Sequence, residues 1–163
     1  MNYKIIDKET FKVIGKKFTL SMKSNNQLKE IPVIWEKLTK DGTCDKLDQY
    51  SSDLGVMGIT VNYSEEEEVM EYMIGIEKNQ ATIQNINIPD LKESDIPAFS
   101  WATFYSDKPV SEINQLYQRI FSEWFPATGY EHAGGPELEI YHVDEQTGEL
   151  DSYEIWIPVK QTS

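Results

Sequence analysis

The hydrophobic pattern of this chain contains the same order of elements twice: a strand, a helix and then two strands. The predicted helices cover about residues 26–40 and residues 113–124, where apolar side chains recur every three or four positions. The predicted strands cover residues 11–18, 55–61, 71–77, 98–105, 137–143 and 153–159. This order predicts an α+β domain in which a twisted, mainly antiparallel sheet carries both long helices on one face.

The two sets of elements also resemble each other residue by residue. The segment Tyr-Met-Ile-Gly-Ile at 72–76 aligns with Tyr-Glu-Ile-Trp-Ile at 153–157, an offset of 81 positions. The same offset aligns residues 55–59 with residues 136–140. We therefore predict a duplicated βαββ unit, with a groove near its pseudo-twofold axis as the expected pocket.

The duplication predicts one domain over the whole chain. That domain covers residues 1–163, with pseudo-repeats at about 1–80 and 95–163. Between the repeats, residues 85–95 are polar and lack a clean period, so they are interpreted as a connector.

The second helix has the clearer amphipathic pattern. Its apolar side chains are Ile113, Leu116, Tyr117, Ile120, Phe121 and Trp124. Ser111 is its predicted N-cap, and Pro126 with Gly129 is predicted to end it. In the first helix the predicted inward side chains are Leu28, Ile31, Ile34, Trp35 and Leu38. Pro32 either occupies a first-turn position there or kinks the helix.

The charge of the chain argues against one class of partner. Its 163 residues carry a formal net charge of -13 at pH 7, which repels phosphate backbones, so direct nucleic-acid binding is not expected. No run of the sequence approaches the roughly 18 apolar residues of a membrane span. The N-terminus also lacks the apolar segment of a signal peptide. We expect a cytoplasmic protein that does not enter a membrane.

Motifs for cofactors, metals and covalent catalysis are absent from the sequence. Cys44 is the single cysteine, so it cannot form an internal disulfide, and no adjacent histidine activates its thiol. His132 and His142 have no third ligand at a spacing typical of zinc sites. There is no G-x-S-x-G, no phosphate-binding glycine loop and no CxxC. We expect no cofactor and no metal.

One strand carries an acid among aromatic residues. Along 136–142, Glu137, Glu139 and Tyr141 share one face, because side chains alternate across a strand. In the last strand the side chain of Trp156 points to the face opposite that of Ile155 and Ile157. If the register between the two strands puts Trp156 on the same face as Glu139, then Glu139, Tyr141 and Trp156 are neighbours. A carboxylate beside an indole and a phenol forms a cage for an organic cation. The alternative is that Glu139 is an ordinary solvent-facing strand residue.

Other aromatic residues are further candidates for the walls of such a pocket. Trp35 lies on the predicted inner face of the first helix, and Trp101 and Tyr105 lie in the strand at 98–105. Trp124 is interpreted as core, because aromatic residues at helical spacing usually pack inward.

Four segments together resemble one known family. They are Trp-Ala-Thr-Phe at 101–104, Ile-Phe-Ser-Glu-Trp-Phe-Pro-Ala-Thr-Gly-Tyr at 120–130, Pro-Glu-Leu-Glu-Ile-Tyr at 136–141 and Glu-Ile-Trp-Ile-Pro-Val at 154–159. In this order they resemble the GyrI-like (gyrase-inhibitor-like) family, the effector-binding domain of AraC-type bacterial transcription activators. The likeness spans nearly the whole chain.

The resemblance implies a duplicated βαββ fold with a central hydrophobic cleft, and in multidrug-sensing relatives an acid in that cleft meets lipophilic cations. By position in the Pro-x-x-Glu-x-Tyr pattern that acid is Glu139, with aromatic walls at Trp101, Tyr141 and Trp156. Many relatives carry a helix-turn-helix segment, and this sequence has none, so it looks like a stand-alone effector-binding domain.

The expected function is therefore binding of a hydrophobic, cationic small molecule, in transcription regulation or drug response. Two alternatives stay open. One is a hydrolase of reactive genotoxic compounds, in which Glu139 and Tyr141 act as acid and base. The other is a protein-binding module that docks on gyrase or on a regulator. Fold membership does not choose among these.

Overall fold

The structure is a computed structural model that describes residues 1–79 and 84–162. Within these ranges the strands are β1 Tyr3–Lys8, β2 Phe11–Ser21, β3 Met57–Ser64, β4 Val69–Glu77, β5 Lys92–Ile96, β6 Phe99–Ser106, β7 Tyr130–His132, β8 Glu137–Val143 and β9 Leu150–Gln161. They form one sheet in the order β1-β6-β9-β8-β3-β4-β2-β5, and β7 pairs with the C-terminal end of β9. The predicted α+β class is confirmed.

The sheet order puts β8 and β3 side by side at its centre. All pairings among the described strands are antiparallel. The central register places Gly58 directly opposite Glu139. These two residues are also 81 positions apart, the offset of the sequence repeat, so the predicted pseudo-twofold axis passes between them. The end of the first predicted repeat, at about residue 80, lies outside the described residues.

The helices lie in the two connections from an outer strand to the centre. Between β2 and β3 are α1 Gln27–Lys40 and α2 Thr43–Asp48, and between β6 and β7 are α3 Ile113–Arg119, a π-helical turn Ile120–Trp124 and α4 Phe125–Ala127. Turns of 3-10 helix at Lys23–Asn25 and Val110–Glu112 precede α1 and α3.

The predicted details of α1 need two corrections. Pro32 lies past the first turn of a helix that begins at Gln27, so the first-turn alternative is wrong and the helix loses one backbone hydrogen bond there. Leu28 is 45% exposed and does not face the core. The other predicted inward side chains, from Ile31 to Leu38, pack against the sheet.

The second helix also differs from its prediction at both ends and in its phase. Ser111 lies inside the 3-10 turn, and no side chain caps α3, so the N-cap prediction is wrong. Pro126 lies within α4, and the helix ends after Ala127. The π-helical turn changes the angular spacing of side chains, and Phe121 is 46% exposed on the outside.

Four short elements were not predicted: β1, α2, β5 and β7. Strands β1 and β5 form the two edges of the sheet and carry charged side chains, as edge strands often do, so they lack an alternating hydrophobic pattern. Part of the predicted connector at 85–95 therefore belongs to β5, which pairs with β2.

Both long helices cover the same face of the sheet, as predicted. The core under α1 and α2 includes Ile74, and the core under α3 and the π-helical turn includes Ile155. These two residues lie in one cross-strand row, because Ile155 pairs with Glu139, Glu139 with Gly58 and Gly58 with Ile74. Glu139 therefore lies on the helix-covered face, between the two helical clusters.

The opposite face has a hydrophobic core of its own. Its buried members all come from strands: Val13, Met57, Ile59, Met73, Ile96, Trp101, Leu138, Ile140 and Trp156. This second core separates the two faces chemically, because a side chain on one face cannot reach the other across the sheet.

Candidate functional site

Three tyrosine hydroxyl groups surround the carboxylate of Glu139. Oε1 accepts hydrogen bonds from Tyr141 Oη at 2.7 Å and from Tyr72 Oη at 3.2 Å. Oε2 accepts one from Tyr117 Oη at 3.0 Å. Both carboxylate oxygens therefore have neutral donors, and the side chain stays partly exposed.

Four different elements supply these groups. Tyr141 lies two residues along β8 from Glu139 and so shares its face, whereas Tyr72 comes from β4, beyond the neighbouring strand β3. Tyr117 comes from α3 above the sheet. From α1, Trp35 donates a 2.8 Å hydrogen bond from Nε1 to Tyr72 Oη, and its ring meets that of Tyr141 edge to face at 5.2 Å. The cluster thus joins both helices to the centre of the sheet.

Gly58 gives this cluster its space. A Cβ at this position would lie 2.7 Å from Glu139 Oε1 and would collide with Tyr72 Oη. Residues directly opposite in antiparallel strands have Cβ atoms roughly 5 Å apart, and two like charges there are destabilising. The position related to Glu139 by the repeat offset therefore has no side chain, and only one half of the chain contributes an acid.

Burial controls the protonation of the cluster. Desolvation raises the pKa of Glu139 above its ordinary value, the three phenol hydrogen bonds oppose that rise, and Glu137 adds to it. Burial, followed by the charge of Glu139, raises the pKa values of Tyr72, Tyr117 and Tyr141 well above the ordinary range of a tyrosine. The phenols therefore remain neutral donors at any physiological pH.

No cationic side chain among the described residues balances this carboxylate. Among residues 1–79 and 84–162, no lysine, arginine or histidine forms an ion pair with Glu139. A partly buried carboxylate without a counter-charge, set among aromatic rings, attracts an organic cation. The same described ranges contain no group of three His, Cys, Asp or Glu side chains that could hold a metal ion.

The structure brings together three of the six predicted site residues. Glu139, Tyr141 and Trp35 belong to one cluster. Trp156 does not, because β9 pairs Trp156 with Leu138 and so directs its ring to the opposite face. The predicted neighbourhood of Glu139 and Trp156 is therefore wrong.

Trp101 and Tyr105 also lie away from Glu139. Trp101 pairs with Pro158, whose side chain points to the same face of β9 as that of Trp156. The indole rings of Trp101 and Trp156 lie 6.0 Å apart in the core of that face. Tyr105 pairs with Glu154 on that same face and is 46% exposed. These three aromatic side chains cannot line a pocket over Glu139.

Two members of the cluster, Tyr72 and Tyr117, were not predicted as site residues. Both had a usable signal in the sequence. Tyr72 aligns with Tyr153 at the repeat offset of 81 positions, and its side chain points to the helix-covered face of its strand. Tyr117 lies in the inward-facing apolar stripe of the second helix. The contact of Tyr72 with Glu139 depends on how β4 and β8 are aligned on either side of β3, and the contact of Tyr117 depends on where α3 lies over the sheet. Neither the repeat nor the helical pattern of the sequence contains this information.

A family model described as "GyrI-like small molecule binding domain" matches residues 1–160. None of the curated proteins matches the sequence significantly. Among solved structures, SAV2435 bound to tetraphenylphosphonium is 20% identical with a TM-score of 0.78, covering 98% of this chain and 94% of that chain.

Two further solved structures resemble the chain. A protein from Staphylococcus aureus MU50 named for bacterial transcription regulation is 18% identical with a TM-score of 0.73, covering 98% of this chain and 99% of that one. The EcmrR C-terminal domain is 17% identical with a TM-score of 0.61, covering 99% and 98%. At these identities the likeness shows the fold. Among the described residues, no helix has the length and apolar character that crossing a bilayer requires.

Proposed function

The chain belongs to the GyrI-like small molecule binding domain family, and from this premise we propose that it binds a hydrophobic organic cation over Glu139. The observation that carries the proposal is the carboxylate of Glu139, which has three phenol donors and no cationic partner among the described residues. A bound cation would supply the missing charge. Aromatic ring faces around it would contribute about 0.5–2 kcal/mol each through cation–π contacts.

The hydrogen bonds of Glu139 favour a particular kind of cation. Both carboxylate oxygens already accept bonds from phenols, so a ligand with N–H donors would have to displace them. A cation whose charge is spread over an apolar body makes no such demand. It is attracted through space and stacks on the rings of Tyr141 and Trp35.

Regulation is the second part of the proposal. The similar structures include SAV2435 bound to tetraphenylphosphonium and the C-terminal domain of EcmrR, which has also been solved in a complex with DNA. We propose that this chain likewise responds to a lipophilic cation in transcription regulation or in the response to drugs. The net charge of -13 disfavours a direct contact between these residues and nucleic acid.

Thermal unfolding with a pair of ligands of equal shape and opposite charge tests the proposal. Tetraphenylphosphonium and tetraphenylborate differ in the sign of their charge, so a general hydrophobic patch would bind both. We expect only the phosphonium to raise the midpoint, since a ligand at a hundredfold excess over its dissociation constant stabilises the native state by about 2.7 kcal/mol. Equal shifts with both ions, or a shift with the borate alone, would refute the proposal.

A further inference from the structure

A second carboxylate lies beside Glu139 on the same face of β8. Glu137 is two residues nearer the N-terminus of the strand, which places it on the order of 7 Å from Glu139 along the sheet. It pairs with Thr60 of β3, as Glu139 pairs with Gly58. The side chain of Glu137 is 15% exposed, on the same helix-covered face of β8 as Glu139.

Among residues 1–79 and 84–162, no lysine or arginine forms an ion pair with Glu137, and its partner is His132. Its Oε2 lies 2.8 Å from Nε2 of His132, while the backbone N–H of Gly134 donates to Nδ1 of that ring at 2.9 Å. A backbone N–H can only donate, so the ring presents Nδ1 to Gly134 as an acceptor and Nε2 to the carboxylate of Glu137. Glu137 and Glu139 are thus two carboxylates on one strand face with no lysine or arginine partner among the described residues.

An exposed aromatic side chain lies on the same side of the sheet as this outer acid. A bulge in β3 between Thr60 and Asn62 changes the strand parity, so that Tyr63 pairs with Met70 and faces the helix-covered side. Tyr63 is 50% exposed on this side of the sheet, and burial followed by the charge of Glu137 raises the pKa of its phenol.

The π-helical turn adds a second aromatic group. Phe121 is 46% exposed, and its ring stacks on His132 with centroids 6.3 Å apart and planes inclined by 17°. Tyr117, one turn earlier in the helix, bonds to Glu139. Successive turns of one helical segment thus lie over the inner acid and over the histidine that holds the outer acid.

We propose that the site over Glu139 has an outer subsite formed by Glu137, Tyr63 and Phe121, and that its ligands are elongated organic dications with one charge at Glu139 and the other at Glu137. This inference rests on the proposed function, because it assigns a ligand class to the same site. A ligand with two charges spaced like the two carboxylates neutralises both, whereas a single charge leaves Glu137 unbalanced.

The test compares two probes built on the same group. Butyltriphenylphosphonium carries one charge, and butane-bridged bis(triphenylphosphonium) carries two at roughly the spacing of alternate residues in a strand. Calorimetric titration at one fixed, low ionic strength gives both dissociation constants. For the unmodified protein we expect the dication to bind on the order of tenfold more tightly than the monocation.

Variants then locate the second charge. Glu137→Gln keeps an acceptor for His132 and should abolish the preference for the dication, measured as the ratio of the two dissociation constants. Phe121→Ala, at an exposed position, should weaken the dication selectively. Glu131→Gln removes one negative charge from an exposed position on β7 and should preserve the preference, which controls for net charge.

Each result has a defined reading. A preference that survives Glu137→Gln, or no preference in the unmodified protein, overturns the outer subsite while monocation binding continues to support the proposed function. If neither probe binds the unmodified protein, the proposed function fails as well, and the outer subsite with it.

Discussion

Tyr117 on α3 donates a 3.0 Å hydrogen bond to Oε2 of Glu139 on β8. This bond joins the second helix to the centre of the sheet, on the oxygen that Tyr72 and Tyr141 do not contact. We therefore expect the state of the Glu139 carboxylate to affect the position of the helix and, under the proposed function, the binding of a cation.

Removing the hydroxyl of Tyr117 should destabilise the protein when Glu139 is charged. Tyr117→Phe leaves Oε2 without this donor, and a buried acceptor without a partner costs about 1–3 kcal/mol. We expect urea unfolding at neutral pH to show a loss of that size. Tyr105→Phe, a matched change at a 46% exposed tyrosine on the other face, should leave the free energy of unfolding unchanged. Equal losses in the two variants would contradict this account of Oε2.

Cation binding should weaken as the pH falls. Folding raises the pKa of Glu139, chiefly through burial, so the native state holds the proton more tightly than the unfolded chain does. Its contribution to stability is therefore complete below the unfolded pKa and is lost as pH rises through the folded pKa. A bound cation favours the ionised carboxylate, so affinity should rise over that same interval, which lies above the ordinary range for glutamate.

Titrations of tetraphenylphosphonium between about pH 8 and about pH 5 measure this linkage. At the acidic end of this range, binding should release a proton from Glu139. The release is detected because the measured heat of binding then depends on the ionisation enthalpy of the buffer. Both effects should vanish in Glu139→Gln, and their persistence there would assign the titration to another group.

A methyl group at residue 58 should disrupt the site. In Gly58→Ala the new Cβ would press on Glu139 Oε1 and on the hydroxyl of Tyr72, and overpacking of this kind costs about 1–3 kcal/mol. We expect a lower unfolding midpoint together with weaker cation binding. Gly129→Ala is the matched control, because a Cβ there meets nothing within 4 Å. An alanine at residue 58 that is as well tolerated as one at 129 would show that the cluster is not close-packed.

The two faces of the sheet should respond differently to loss of an indole. Trp35→Phe removes the Nε1 donor to Tyr72 and reshapes the ring contact with Tyr141, so tetraphenylphosphonium should bind more weakly. Trp156→Phe alters the opposite core and should lower the unfolding midpoint without changing the affinity of the folded protein. Fluorescence titration of both variants checks this, and a loss of affinity in Trp156→Phe alone would reverse the assignment of faces.

The sequence predicted the position of the acid better than the identity of its neighbours. Strand alternation put Glu139 and Tyr141 on one face, and the helical stripe put Trp35 and Tyr117 inward, because both patterns are local. Whether Trp156 or Ile155 lies opposite Glu139 depends on a one-residue difference in register, and such a difference moves a side chain to the other face.

Other differences have equally specific causes. Phe121 fits a regular α-helical stripe, but the π-helical turn that begins at Ile120 displaces it to the outside. Strands β1 and β5 escaped prediction because edge strands with charged side chains resemble loops. The bulge that puts Tyr63 on the helix-covered face likewise has no counterpart in the alternating pattern.

The central claim is that the charge of Glu139 holds a lipophilic cation, and calorimetric titration of tetraphenylphosphonium into Glu139→Gln at neutral pH tests it most directly. Glutamine keeps the size of the side chain and an acceptor for the phenols but removes the charge. We predict a loss of affinity of at least about tenfold relative to both the unmodified protein and Glu131→Gln, with the fold retained. Equal affinity in all three proteins would contradict the account.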